Sequence, residues 1–349
     1  MKILSVVGAR PQFIKAAAVS RALAKQPGVR EILVHTGQHY DENMSGIFFK
    51  ELDIPEPDYN LEVGSGSHAW QTGNMLKALE EVMIREKPDW TLVYGDTNST
   101  LAGALSAVKL HIPVAHVEAG LRSFNRLMPE EINRIATDRI SDLLFAPTLT
   151  AMGHLEKEGL GPISCFTGDV MYDSILYYRD KIQRTGAGAA WRDIAPPFFL
   201  ATIHRAENTD DPARLKNIFR AFAGIKSRIV LPLHPRTRNL LSVIQPLPEN
   251  VTITEPAGYL DMIRLTLEAG KVLTDSGGLQ KEAYFLGTPC ITLRNETEWV
   301  ETVHDGWNTV TGTDPRKILL AASLPKPEKP RKDLFGKGNA ATIIAERLK

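Results

Sequence analysis

Short runs rich in Val, Ile and Leu alternate along this chain with longer segments of helical period. The runs Ile3–Val7, Ile32–His35, Thr91–Tyr94, Val114–Val117, Leu143–Ala146 and Ser164–Phe166 read as strands. Between them, Leu101, Leu105 and Val108 fall on one face of a helix, as do Leu76, Leu79 and Met83. Strands that are apolar throughout, rather than alternating, are strands covered on both faces. With helices between them they predict a parallel, doubly wound α/β sheet.

The pattern then restarts. Residues Gly186–Pro197 (GAGAAWRDIAPP) read as a linker or hinge. Beyond them Phe198–Ile203, Ile229–Leu233, Val251–Thr254, Val272–Leu273 and Cys290–Leu293 repeat the strand-and-helix alternation. Two Rossmann-like halves with a cleft between them are expected. The first is an N-terminal domain, 1–168, and a connecting helix and linker, 169–197, lead to a C-terminal domain, 198–335. A last helix, 336–349, is expected to pack back on the first half. Pro325–Lys332 reads as a polar connector and Asn339–Leu348 as the terminal helix.

Composition narrows the function classes. A chain of 349 residues is longer than one core usually organises. Its 43% hydrophobic and 23% charged residues are those of a soluble globular protein. With 41 basic and 41 acidic residues, no overall field draws nucleic acid or anionic lipid, so an anionic ligand needs a local set of donors. Cys165 and Cys290 are the only cysteines, and each lies in a strand-like run. Both are expected to be buried small hydrophobes in a reducing compartment. The apolar start Met1–Val7 is too short for a signal peptide, and no stretch reaches the ~20 apolar residues of a membrane span. A cytoplasmic enzyme is expected.

Ligands of doubly wound sheets bind beyond the carboxyl ends of the strands. Here those ends read Gly8-Ala9-Arg10-Pro11 with Lys15, Thr36-Gly37-Gln38-His39, Gly95-Asp96-Thr97 and Glu118-Ala119-Gly120-Leu121-Arg122. In the second half they read His204-Arg205-Ala206-Glu207-Asn208, His234-Pro235-Arg236 and Asp275-Ser276-Gly277-Gly278. Ser276-Gly277-Gly278 opens a helical run, where free N–H groups and the positive helix end form an anion site. A plain helix cap by Asp275 or Ser276 is the competing reading. Glu282, one turn further in, is placed to accept ribose hydroxyls.

The first loop lacks GxGxxG, which argues against a nicotinamide or flavin cofactor there, and none is expected. Arg10 and Lys15 suit either a sugar-bound phosphate or catalytic carboxylates. Asp96, Glu118 and Glu130 supply the acids that acid–base chemistry needs. Arg134 lies four residues after Glu130, so the two either pair on the helix or share the site. His204 and His234 stand at strand ends as phosphate donors or structural histidines. The spacing of His35, His39, His111 and His116 does not suggest a metal site.

In order and spacing these motifs resemble the non-hydrolysing UDP-N-acetylglucosamine 2-epimerases over nearly the whole chain. They include His35-Thr36-Gly37-Gln38-His39, His116-Val117-Glu118-Ala119-Gly120-Leu121-Arg122, Pro129-Glu130-Glu131 with Asn133-Arg134, and Thr274–Gly278 with Glu282-Ala283. The resemblance implies a glycosyltransferase-B-like fold and a homodimer. It implies that UDP is eliminated across C1–C2 to a 2-acetamidoglycal and re-added with C2 inverted, for surface polysaccharide precursors such as those of lipopolysaccharide. It gives Asp96, Glu118 and Glu130 the protons and the sugar. Arg10, His204, Ser276 and Gly277 take the diphosphate and Glu282 the ribose, while Lys15, Arg134 and Arg294 support charge.

The chemistry agrees, since the C2 proton has no adjacent carbonyl to acidify it. Inversion there needs a nicotinamide or a leaving group at C1, and the strand ends supply diphosphate binders and acids. Three segments depart from the family pattern. GARPQFIK stands for GTRPEAIK, Ser123–Met128 is one residue short, and Asn295–Glu301 replaces DTTERPE. Together they resemble the subgroup acting on UDP-2,3-diacetamido-2,3-dideoxyglucuronate, with plain UDP-N-acetylglucosamine the other candidate. Ser65-Gly66 stands where members activated by their own substrate carry Arg-Gln, so activation does not carry over. The rivals are a glycosyltransferase of the same architecture, a hydrolysing epimerase and a nucleotide-sugar sensor.

Overall fold

The computed structural model describes residues 1–38, 49–50, 52–54, 56–188, 191, 194–233 and 244–349. Its first strands are β1 (Lys2–Val7), β2 (Arg30–His35), β3 (Tyr59–Asn60), β4 (Trp90–Tyr94), β5 (Val114–Val117), β6 (Leu143–Ala146) and β7 (Ser164–Phe166). Among them run α1 (Arg10–Leu23), α2 (His68–Glu86), α3 (Asn98–Lys109), α4 (Pro129–Ile140) and α5 (Leu149–Lys157), followed by α6 (Val170–Thr185). Then come β8 (Phe198–Thr202), β9 (Arg228–Pro232), β10 (Val251–Thr254), β11 (Lys271–Thr274), β12 (Cys290–Thr292) and β13 (Asn308–Val310). The later helices are α7 (Ala206–Thr209), α8 (Pro212–Gly224), α9 (Tyr259–Glu268), α10 (Gly277–Leu286), α11 (Val300–His304), α12 (Pro315–Ser323) and α13 (Ala340–Arg347).

Two compact units result, Met1–Ser174 with Asp333–Lys349, and Ile175–Lys332. The first is built on a sheet of order β3-β2-β1-β4-β5-β6-β7 and the second on β10-β9-β8-β11-β12-β13. Every pairing is parallel, as in Leu4 opposite Ile32 and Val272 opposite Leu200. In each sheet the order reverses once, between β1 and β4 and between β8 and β11. The strand ends flanking such a reversal splay apart and leave a crevice.

Burial explains the sequence pattern. Leu4, Val6, Ile32, Val34 and Val93 pack under Met75, Leu79 and Met83 of α2 and the alanines of α3. In the second unit Leu231, Leu273 and Leu293 meet Leu215, Phe219 and Phe222 of α8, while Leu200, Val230 and Val272 cover the opposite face. Side-chain caps set several helix starts: Thr97 accepts from Thr100 N, Asp211 from Ala213 N and Asp314 from Arg316 N. Pro212 and Pro315 follow the two aspartate caps, where their missing N–H costs nothing.

The terminal segment belongs to the first unit. Helix α13 packs on α1, and Asp173 accepts the N–H groups of Ala340 and Ala341 at 3.2 and 2.8 Å. Burial pushes the Asp173 carboxyl up to about 6, against the opposing pull of those two donors.

Three expectations are corrected. The two-residue strand Tyr59–Asn60 and the strand Asn308–Val310 carry too little apolar sequence to stand out. Cys290 is buried, but Cys165 is only partly so, because β7 is the edge of its sheet and is covered on one side. Arg134 pairs with Asp96 and Glu131 and not with Glu130, which is exposed at the start of α4. Among the described residues no helix is long and apolar enough to cross a membrane.

Candidate active site

In the first unit the acids stand on the turns after β4 and β5. Glu118 accepts from Lys15 Nζ at 2.6 Å, and the two side chains are only 10% and 8% exposed. Glu118 has a φ of 72°, a left-handed conformation costing a side-chain-bearing residue roughly 1–3 kcal/mol. Its N–H and that of Ala119 both donate to the Phe145 carbonyl, which holds the turn in place. Gly95, at φ 65°, lies beside the ion pair. A Cβ there would come within 3.0 Å of Lys15 Nζ and 3.6 Å of Glu118 Oε1, so the glycine makes room for the pair.

Asp96 is held by Arg134 through a direct ion pair, and its carbonyl accepts from Asn133 at 3.0 Å. Arg134 also donates to Glu131 at 2.7 Å. Glu131 in turn accepts the N–H groups of Ser123 and Phe124, both at 2.9 Å. Burial works to raise the Glu131 carboxyl, but these donors and Arg134 outweigh it and hold it below the usual carboxylate range. The PEE triplet therefore divides its work. Glu131 anchors the loop 121–128, and Glu130 beside it faces solvent.

Gln12 ties the first loop to this assembly. Its Oε1 accepts from Gly8 N at 2.8 Å and Ala9 N at 3.0 Å, and its Nε2 donates to the Tyr94 carbonyl at 2.9 Å. The glutamate of the common family form could not make that last bond, which gives GARPQFIK a physical sense. Arg10 is exposed at the start of α1. Near α2, the Trp70 ring covers Gly66: a Cβ at position 66 would lie 2.4 Å from Trp70 Cε3. A longer residue there needs Trp70 to move.

In the second unit the turns after β8 and β11 meet over Asp275. This carboxylate is fully buried and accepts from His204 N, Arg205 N and Asn208 Nδ2 at 3.0–3.2 Å. Asp275 is thus a clamp for the His204–Asn208 turn, whereas Ser276 is the N-cap of α10, accepting from Leu279 N at 3.4 Å. A Cβ at Gly277 would lie 3.3 Å from Glu298 Oε1 and 3.7 Å from Arg205 Nη2.

Arg294, 9% exposed, donates to both oxygens of Glu298 at 2.9 and 3.1 Å, and its buried Nε has no partner among the described residues. Trp299 Nε1 donates to the Gly277 carbonyl at 2.9 Å, with the Lys281 ammonium 4.1 Å above its ring. Glu282 is half-buried one turn into α10. His234 lies outside the described residues, as does His39.

The structure therefore brings Lys15, Asp96, Glu118 and Arg134 together in one unit. In the other it gathers His204, Ser276, Gly277, Gly278 and Arg294. Glu131, Gln12, Arg205 and Glu298 were not singled out from the sequence. All four lie inside motifs quoted from the sequence, but none was given a role of its own there. Among the described residues no group of three or more His, Cys, Asp or Glu is placed to hold a metal ion.

Comparison with known proteins decides the family. The UDP-N-acetylglucosamine 2-epimerase family model matches residues 21–349. The chain belongs to that family. This epimerase chain is 52% identical to a UDP-N-acetylglucosamine 2-epimerase homolog of Methanococcus maripaludis, over 100% of this chain and 99% of the other. It is also 52% identical to the UDP-2,3-diacetamido-2,3-dideoxy-D-glucuronate 2-epimerase of Pseudomonas aeruginosa, with the same coverage. The Methanocaldococcus jannaschii UDP-GlcNAc 2-epimerase, crystallised with UDP-GlcNAc and UDP, matches at a TM-score of 0.89 and 43% identity, covering 100% of this chain and 99% of that one. The fold of this epimerase family member is glycosyltransferase-B-like, with two Rossmann-like units, as the sequence led us to expect.

Proposed function

We propose that this chain is a non-hydrolysing 2-epimerase of a UDP-linked N-acetylated amino sugar, working in the cytoplasm as a homodimer on precursors of surface polysaccharide. The observation that carries this reading is the buried Lys15–Glu118 pair beside Asp96–Arg134. Two carboxylates, each held by a cation, stand on neighbouring turns, as suits a reaction that takes a proton from one face of a carbon and returns one to the other.

One carboxylate removes the C2 proton while the C1–O bond to UDP breaks, and the C1–C2 bond becomes double. UDP then adds back to C1 as a proton reaches C2 from the opposite face. Asp96, Glu118 and Glu130 are assigned to these protons and to the sugar, with Lys15 and Arg134 supporting their charge. The start of α10, with Ser276, Gly277 and Gly278, serves the diphosphate together with Arg10, His204, His234 and Arg294, and Glu282 serves the ribose. Arg205, exposed and adjoining Gly277, joins that set.

For the sugar we favour the 2,3-diacetamido glucuronate. Its named relative is 52% identical, as is the UDP-N-acetylglucosamine 2-epimerase homolog of M. maripaludis, so the three departures from the family pattern, not identity, carry this preference. A uronate carries a carboxylate that N-acetylglucosamine lacks. Arg126, exposed and without an ion-pair partner among the described residues, stands on the shortened loop before α4. The test is incubation with each UDP-sugar in heavy water without an acceptor. Deuterium at C2 and a new epimer, without stoichiometric loss of UDP, are expected. No exchange with either sugar would sink the reading, and release of UDP with free sugar would make the enzyme a hydrolase.

A further inference from the structure

His116, in β5, is fully buried. Its Nδ1 lies 2.7 Å from Asp138 Oδ1, and its Nε2 lies 2.7 Å from the carbonyl oxygen of Gly95. A carbonyl oxygen can only accept. Burial works to raise the Asp138 carboxyl, but His116 and Arg122 outweigh it and keep it below the usual range, so Asp138 is a carboxylate and also only accepts. With an acceptor on each side, the ring must donate from both nitrogens.

The two acceptors matter because of what they belong to. Gly95 precedes Asp96. Asp138 Oδ2 takes the N–H of Gly120, two residues after Glu118, at 3.1 Å, and Arg122 Nη1 at 2.7 Å. Arg122 is itself clamped to Glu158 by bonds of 2.7 and 2.8 Å. His116 with Asp138 is thus a strut between the turns that present the two acids, and Gly95, Glu118 and Gly120 all have φ between 65° and 80° on those turns. Left-handed turns keep such a shape only while their surroundings enforce it.

Resting on the epimerase reading above, we propose that the His116 imidazolium and Asp138 are a positioning pair. They set the turns of Asp96 and Glu118 for proton transfer and supply a fixed positive charge beside them. The other charged or titratable groups around the strut are Arg122 after β5, Glu131 and Arg134 on α4, and Lys15 on α1. Glu158 closes the end of α5, and His154 on α5 faces the Gly120 carbonyl at 3.0 Å. Because these groups pair among themselves, His116→Gln leaves Asp138 with one fewer positive neighbour. The nearby acids then hold their protons more tightly.

The test uses the full-length enzyme and reads C2 deuterium exchange, its pH profile and UDP affinity for His116→Gln and Asp138→Asn. Both variants should lose about a hundredfold in exchange rate, the penalty expected for misplaced groups, while UDP binds as in wild type. His116→Gln should also move the acidic limb of the profile upward by about one pH unit. Asp138→Asn removes a negative charge and should not move it upward, a contrast that a mere folding defect does not produce. Wild-type exchange in His116→Gln, an unmoved acidic limb, or loss of UDP binding in step with exchange in both variants would overturn the proposal. Absence of exchange in the wild type with any UDP-amino sugar would instead remove the reading on which it rests.

Discussion

The two units share one architecture and have opposite charge arrangements. In the first, the polar groups at the strand ends are already matched: Lys15 with Glu118, Arg134 with Asp96 and Glu131, and Arg122 with Asp138 and Glu158. In the second, the start of α10 adjoins the exposed Arg205, and Arg294, paired with Glu298, keeps a buried Nε that has no partner among the described residues. Glu298 is the acid drawn to that place. Matched charges fix positions and protonation states, which suits groups that move protons. Unmatched donors suit a ligand that brings its own negative charge.

The sharpest way to break this contrast is to remove the acids. Asp96→Asn and Glu118→Gln should each lower C2 exchange by about a thousandfold, in the range general acid–base groups contribute, while UDP affinity stays within about twofold. Exchange near wild type would take that residue out of the mechanism. Lys15→Met comes next. It takes from the nearly buried Glu118 the cation 2.6 Å away, which should cost about 3 kcal/mol in denaturant unfolding, whereas Arg205→Ala should cost under 0.5 kcal/mol. If both variants unfold alike, the first unit is not the preassembled one.

Arg205→Ala should instead weaken UDP binding about tenfold and Ser276→Ala by about 1 kcal/mol, both measured by calorimetry, with little effect on a UDP-saturated exchange rate. Asp173 separates the units by pH. Its folded carboxyl, at about 6, lies above an unfolded aspartate near 4, so its contribution is complete below that lower value and is lost as pH rises through about 6. Melting of the first unit should therefore weaken by about 1–3 kcal/mol between pH 4.5 and 7. A flat profile over that window would discard the assignment.

The smallest effect is chemical. Cys165, partly exposed at the edge strand, should be alkylated within minutes under native conditions. Cys290 should stay unmodified, since burial pushes its thiol up to about 12. Mass mapping after iodoacetamide decides it, and equal labelling would contradict the burial of the second core.

The strands and their ends were legible because parallel strands covered on both faces are unbroken apolar runs. Whatever follows them lies at the crevice. Thus Asp96, Glu118 and Ser276 could be placed from sequence. Pairing partners could not. Glu130 and Glu131 differ by one helical step, about 100°, and only packing decides which of them turns inward toward Arg134. Asp275 reads as a candidate helix cap ahead of two glycines, but its carboxylate is consumed by three donors of a turn more than sixty residues earlier in the chain. His116 drew notice as a histidine without metal spacing and as the first residue of a family motif, with no role assigned to it. Its role depends on Asp138 and Gly95, each about twenty residues away, a separation no local pattern encodes.

The return of Asp333–Lys349 to the first unit bears on the order of events during synthesis. Translation delivers the whole of Ile175–Lys332 before the strand-end turns of the first unit can gain their last supporting helix. A ribosome stalled short of α13 would therefore carry a second unit able to finish folding beside a first unit that is still waiting. The exposed α1 surface would be a natural place for a chaperone to hold. Emergence of α13, not of the strand-end turns, is the step that completes the first unit.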